Sequence, residues 1–280
     1  MRAARDLAAL AAARSAMAGR VALVPTMGAL HAGHLALVSA ARAAADHVVV
    51  SIFVNPLQFT AAEDLVRYPR TEEADLTMLA DAGCDLAWVP PLEAMYASDR
   101  VTAIEVGGPA EGFEGAARPG HFRCVATVCT KLFLQTRADV AVFGEKDWQQ
   151  LQVIRRMVAD LDIPVTILPV PTVREADGLA LSSRNRFLTA AERTLAPVLA
   201  REGFAAAAAI AMGRGGSASL EAARARLAAS GFAVEYLALV DAATMRPLDR
   251  PGDAPARLVA AARLGTVRLL DNWPVAAAAP

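Results

Sequence analysis

Two histidines, His31 and His34, stand three residues apart with Gly33 between them, directly after the segment Val21-Ala-Leu-Val-Pro-Thr-Met-Gly-Ala-Leu30. On a helix that spacing puts both rings on one face, and the glycine lets a phosphate or a flat ring come close to the backbone. The chemistry this suits is nucleotide binding. The apolar run Val21, Leu23, Val24, closed by Pro25, reads as a buried strand with a hard stop. From Leu30 the apolar residues recur as Leu30, Leu35, Leu37 and Val38, the spacing of a helix that begins near His31. A strand, a turn of small residues and a helix start leave free N–H groups and the positive end of a helix dipole pointing at one place, where phosphate binds well. The plainer alternative is a pair of surface histidines on an ordinary first helix, since motifs as short as H-x-G-H arise by chance. Position favours the nucleotide site, because the first strand-to-helix turn is its usual address in open α/β sheets.

Of the 28 basic residues only Lys131 and Lys146 are lysines, so the chain uses arginine by default. Lys146 lies in Gly144-Glu-Lys-Asp-Trp-Gln-Gln150, where the strand-like run 138–143 gives way to a helical pattern over 149–158. A lysine there reaches a phosphate as a compact point charge. The alternative, an ion pair with Glu145 or Asp147, is worth little and would tolerate arginine. Ser182, Ser183, Arg184 and Asn185 put two hydroxyls, a guanidinium and an amide in succession, a clamp for phosphate oxygens or else a turn ahead of a helix near Thr189. Asn55 and Gln58 follow the β-branched run 47–53 and so sit beyond a strand end, where ligands of such sheets bind. As neutral amides they suit a hydroxyl or a carboxylate; a plain Asn-Pro turn is the alternative. Arg118 and His121 offer a cation and an imidazole to an anion, or form a solvated loop.

These residues need a scaffold, and the pattern supplies one. Strand-like runs at 21–24, 47–53, 86–89, 102–106, 138–143 and 163–170 alternate with helical patterns at 71–82, 125–135 and 149–158. That alternation predicts an α/β fold with a Rossmann-like, doubly wound parallel sheet. A polar connector from Pro171 to Gly178 marks a boundary, giving domains 1–175 and 176–280. Beyond it a long alanine-rich helix to about 212, a second helix to about 229 and strands at 234–240, 257–262 and 266–270 predict a smaller α+β domain. The first twenty residues carry four arginines among alanines, as a transit peptide would, but Asp6 and the smooth lead into the first strand favour an ordinary helix.

At 280 residues and 55% hydrophobic, the chain can bury a real core. A net charge of -1 gives no electrostatic case for nucleic acid or a membrane surface. The longest stretch without Asp, Glu, Lys or Arg, 21–41, is broken by Pro25, Thr26 and both histidines, so no membrane span is predicted. Cys84, Cys124 and Cys129 are odd in number and form no C-x-x-C pair. They read as reduced thiols of a cytoplasmic protein, with no zinc spacing among them.

Pro25-Thr-Met-Gly-Ala-Leu-His-Ala-Gly-His34, Phe53-Val-Asn-Pro-Leu-Gln-Phe59, Arg118-Pro-Gly-His-Phe122, Phe143-Gly-Glu-Lys-Asp-Trp-Gln-Gln150 and Gly178-Leu-Ala-Leu-Ser-Ser-Arg-Asn185 closely resemble, in order, the signatures of the pantothenate synthetase (pantoate:β-alanine ligase) family of the nucleotidyltransferase superfamily. The resemblance implies a cytoplasmic homodimer that makes pantoyl adenylate and pyrophosphate from ATP and pantoate, then uses β-alanine to displace AMP and form pantothenate. It implies an ATP site of Met27, Gly28, Ala29, Leu30, His31, Ala32, Gly33, His34, Gly144, Glu145, Lys146, Asp147, Val173, Leu181, Ser182, Ser183 and Arg184. His34, His31, Lys146, Ser182, Ser183 and Arg184 take catalytic roles, with His34 a proton donor. Gln58 and Gln150 are implied to hold pantoate, Gln58 also lies near β-alanine, and Asn55 and His121 join the substrate site. Some members place Mg²⁺ on acidic residues of the helix after the second strand. Here only Asp75 matches, so a Mg²⁺ held mainly by ATP phosphates is expected. Leu181 replaces the Met of many members, a tolerable exchange beside an adenine.

Overall fold

The structure is a computed structural model that describes residues 1–59, 65–66 and 68–276. It divides into two compact units, Met1–Glu145 with Val153–Pro171, and Lys146–Gln152 with Thr172–Pro280.

The first unit is built on a parallel sheet of β1 (Arg2–Ala4), β2 (Val21–Thr26), β3 (His47–Ile52), β4 (Leu86–Trp88), β5 (Val140–Gly144) and β6 (Thr166–Val170), in the order β1-β4-β3-β2-β5-β6. Helices α1 (Leu7–Ser15), α2 (Ala32–Ala44), α3 (Glu72–Asp81) and α4 (His121–Thr136) flank it, and α5 (Trp148–Asp160) connects β5 to β6. Val21 to Val24 are fully buried, because α2 packs Val38 and Ala41 over Ala22, Val24, Val48 and Val50 on one side while α4 contacts β2 as well. A parallel strand covered on both faces reads as a continuous apolar run, and each buried Val or Leu contributes roughly 1.5–3 kcal/mol over leaving it in water. From β2 the chain winds outward through β3 and β4 on one side and through β5 and β6 on the other. The reversal falls between β2 and β5, so the turns that follow them, starting at Met27 and at Glu145, lie where ligands of such sheets bind.

Two sequence expectations are corrected in this unit. Residues 102–106 form no strand: the Ile104 N–H is taken by the Thr127 hydroxyl at 3.0 Å, and Val101 beside them is 97% exposed. The N-terminal helix is preceded by β1, whose Arg-Ala-Ala pairs in parallel with β4. No β propensity announces such a strand; an available sheet edge creates it. Burial pushes the Cys84 and Cys129 thiols up to about 11 and about 12, which leaves them protonated and unreactive at neutral pH.

The second unit has an antiparallel sheet of β7 (Phe232–Asp241), β8 (Ala256–Leu264) and β9 (Val267–Val275), in that order. The alanine-rich helix is two helices, α6 (Ala190–Leu195) and α7 (Pro197–Ala211), because Pro197 can open a helix but not sit inside one. α7 and α8 (Gly216–Ala229) pack on the sheet, burying Leu199, Ala206, Ile210 and Leu227 against Leu258, Ala260 and Trp273. Gly203 permits this: a Cβ there would overlap the Trp273 indole.

Candidate active site

The turn after β2 is fixed by a residue far from it in sequence. Gly28 and Ala29 have φ values of 79° and 52°, left-handed backbone that alanine adopts only at a cost. Asp75, in the first turn of α3 and 2% exposed, accepts the Ala29 N–H at 2.9 Å and the Leu30 N–H at 2.8 Å. The Gly28 N–H goes to the Thr26 hydroxyl at 3.2 Å, which itself donates to the Ser51 carbonyl at 2.7 Å.

His31 caps α2. Its Nδ1 accepts the Gly33 N–H at 3.1 Å, and its own N–H donates to His34 Nδ1 at 3.3 Å, with the ring centroids 4.1 Å apart. A neutral imidazole that accepts at Nδ1 carries its proton on Nε2, so the reciprocal cap sets both histidines as Nε2–H donors. The sequence reading of a turn with free N–H groups is therefore corrected: those of Gly28, Ala29, Leu30, His31 and Gly33 all have acceptors inside the protein. An anion here meets imidazole N–H groups and the positive end of α2, not a cradle of backbone amides. Met27 and His34 are half-buried, Leu30 is buried and Ala32 is exposed.

Asp75 does not suit direct ligation of Mg²⁺. Both oxygens already face N–H hydrogens, and the Thr71 hydroxyl lies 3.2 Å from each. The buried carboxylate leaves no place for the waters that Mg²⁺ retains. Among the described residues no three His, Cys, Asp or Glu side chains form a metal cluster.

Of the proposed substrate residues of the first unit, Gln58 and His121 are joined by Arg118. Asn55 is wholly buried and caps the turn Pro56–Gln58, its Oδ1 accepting the Leu57 N–H at 3.2 Å. Its Nδ2 has no acceptor among the described residues, and the amide lies beside the Tyr96 hydroxyl, which burial pushes up to about 12. A buried donor of this kind is what a ligand carbonyl or carboxylate would satisfy. Arg118 donates to the Gln58 carbonyl at 2.8 Å and to His121 Nε2 at 3.2 Å. Because a guanidinium only donates, His121 must accept there and carry its proton on Nδ1. Gly144, which ends β5, and Glu145 are half-buried.

In the second unit Lys146, Ser182, Arg184, Asn185, Arg268 and Asp271 line one cavity, whereas Ser183 and Leu181 are not in its lining. The Leu181 N–H donates to the Val173 carbonyl at 3.0 Å, next to the antiparallel bridge Arg174–Ala180, in a turn through Gly178, φ 92°. Ser182 Oγ accepts the Arg184 N–H at 3.3 Å and so starts the 3₁₀ turn Ser183–Phe187. Asn185 ties that turn to Glu175 at 3.1 Å and to the Ala180 carbonyl at 3.0 Å, and Arg193 clasps Glu175 and Asp177 at 2.6 and 2.7 Å. The hydrogen bond from Arg193, with help from the Leu179 N–H, holds the Asp177 carboxyl below its usual range. Arg174 grips Asp271 with two bonds, 2.6 and 2.8 Å. Burial pushes the Asp271 carboxyl upward while Arg174 opposes it. Lys146 Nζ is 3.4 Å from the exposed Asp147, too long and too solvated a pair to matter much. Gln150 is half-buried in the first turn of α5.

Asp75, Arg118, Arg174 and Asn272 organise these segments and none stood out as such in the sequence. Their partners lie 45 to 126 residues away; the sequence offered Asp75 only as a metal ligand and Arg118 only as a cation within a motif, and gave no signal for Arg174 or Asn272.

The model of the pantoate-beta-alanine ligase family matches residues 1–274. A pantothenate synthetase of Rhizorhabdus wittichii is 60% identical over 258 residues, 91% of this chain and 90% of the relative. A crystal structure of pantothenate synthetase from Thermus thermophilus superposes with a TM-score of 0.92 at 48% identity, covering 98% of this chain and 99% of that one. The Francisella tularensis pantoate-beta-alanine ligase, solved with beta-gamma ATP and beta-alanine, gives a TM-score of 0.83 at 31% identity over 98% and 97% of the two chains.

Proposed function

Since the chain belongs to the pantoate-beta-alanine ligase family and is thus an ATP-using enzyme that joins pantoate and β-alanine into pantothenate, we propose that it works through two half-reactions. In the first, a pantoate carboxylate oxygen attacks the α-phosphorus of ATP, the bond to the β-phosphate oxygen breaks and pyrophosphate leaves. In the second, the β-alanine amine attacks the acyl carbon of pantoyl adenylate and AMP departs. The observation that carries this is the reciprocal His31–His34 cap, which sets two Nε2–H donors at the start of α2. Donors fixed before the substrate arrives stabilise charge that grows during attack.

The substrate brings its own nucleophile, so the protein contributes position and charge. His34 donates toward the phosphate oxygens, with His31 beside it. Lys146, Ser182, Ser183 and Arg184 serve the β- and γ-phosphates and the leaving group. Met27 to Gly33, Gly144, Glu145, Asp147, Val173 and Leu181 bind the remainder of ATP. Gln58, Gln150, Asn55 and His121 hold pantoate and β-alanine through their hydroxyl, carboxylate and amine groups. A Mg²⁺ held mainly by the ATP phosphates would neutralise part of their charge. In functional terms residues 1–175 form the ATP- and pantoate-binding part and 176–280 the smaller C-terminal part. A cytoplasmic homodimer completes the reading, and protonated buried thiols suit a reducing compartment.

Purified protein mixed with ATP, pantoate and β-alanine tests it. AMP and pantothenate should form in equal amounts, and omission of any one substrate should stop both. A product that retains the nucleotide would instead identify a sister nucleotidyltransferase.

A further inference from the structure

We propose that Asn272 is a positioning residue for Lys146, a role that rests on Lys146 acting in adenylation. Asn272, on β9 and 3% exposed, donates from Nδ2 to the Lys146 carbonyl at 2.8 Å across 126 residues of sequence. Its Oδ1 accepts Arg257 Nε at 2.6 Å. The Arg257 guanidinium lies 3.5 Å over the centre of the Trp148 ring, and the Trp148 indole N–H donates to the Ala242 carbonyl at 2.8 Å. Residues 146–148 are thus anchored at two points, the carbonyl of Lys146 and the ring of Trp148. On the same strand Asp271 accepts the Asn272 N–H at 2.7 Å and grips Arg174 at the base of the turn leading to Ser182.

A lysine ammonium rides on four flexible carbons, so its location depends on where the backbone beneath it is fixed. Here that backbone is held by a buried amide whose donor and acceptor are both engaged. Sheet packing alone has no need of such a pair, since an apolar residue of similar size serves a core as well. Asn272 touches neither substrate nor reacting atoms in this scheme; it acts through Lys146.

Two variants separate the possibilities. Asn272→Ala removes both bonds, while Asn272→Asp keeps the acceptor for Arg257 and loses the donor to Lys146. Single-turnover formation of pantoyl adenylate, followed by rapid quench, should slow on the order of 10-fold in both, with the KM for pantoate unchanged. Combined with Lys146→Ala, neither should slow the reaction further, because the group being positioned is gone. A normal rate in the single variants while Lys146→Ala is slow would overturn the inference, as would losses that add to that of Lys146→Ala or unfolding of both proteins. A normal rate for Lys146→Ala alone would instead remove the role assigned to the lysine.

Discussion

The Asp75 carboxylate accepts the Leu30 N–H at 2.8 Å although 45 residues separate the two. With its second oxygen on Ala29, this carboxylate shapes the turn that delivers His31 and His34. Asp75→Asn keeps one acceptor oxygen and replaces the other by a donor, which leaves a buried N–H unpaired at about 1–3 kcal/mol. Urea unfolding should register that loss, and the KM for ATP should rise. The Mg²⁺ concentration for half-maximal rate should stay the same at saturating ATP. A strong rise in that concentration would make Asp75 a metal ligand after all.

Gln58 and Gln150 are proposed to read the hydroxyl and carboxylate groups of pantoate. Replacing either with Ala should weaken pantoate use by about 1–3 kcal/mol, with less effect on ATP binding by calorimetry. Arg118→Met should resemble Gln58→Ala, since Arg118 holds the Gln58 carbonyl. Equal losses for both ligands would argue against the assignment.

Asp177 supplies a pH dependence. Arg193 holds its carboxyl below the unfolded value, so the ionised pair contributes stability above about pH 4 and loses it as pH falls through the folded value. Melting temperatures of the wild type and Asp177→Asn should differ by a roughly constant amount above about pH 5. They should converge below about pH 4. A gap that widens on acidification would contradict the sign.

Lys146→Ala should slow adenylate formation by about 10²-fold, the loss typical of one preorganised donor, and shift the melting curve only slightly. Lys146→Arg should recover little, because a planar fork places its charge differently. Rapid-quench rates beside melting curves decide between this role and an ordinary surface ion pair.

Much of the fold was legible because buried parallel strands leave continuous apolar runs, as Val21 to Val24 and Val48 to Val50 do, and because glycine and proline mark the turns. β1 was not, since Arg2-Ala3-Ala4 becomes a strand only beside β4. Residues 102–106 had the composition of a strand but pair with none among the described residues. At the candidate site, the motifs named candidate residues but not the hydrogen bonds between them. The H-x-G-H spacing put both rings on one helical face, whereas His31 stands outside α2 as its extended N-cap, and the reciprocal cap depends on the path the backbone takes into the helix. Asp75 drew notice as a carboxylate that could hold a metal. That its oxygens are taken by Ala29 and Leu30 follows from how α3 lies against the β2 turn, which no local pattern encodes.

The most direct test of an acyl-adenylate route is exchange of labelled pyrophosphate into ATP. With pantoate present and β-alanine absent, exchange should be rapid, because the first half-reaction is reversible and needs no amine. Without pantoate there should be none. Exchange that proceeds without pantoate, or its absence from a protein that still makes pantothenate, would contradict a pantoyl adenylate formed from free pantoate.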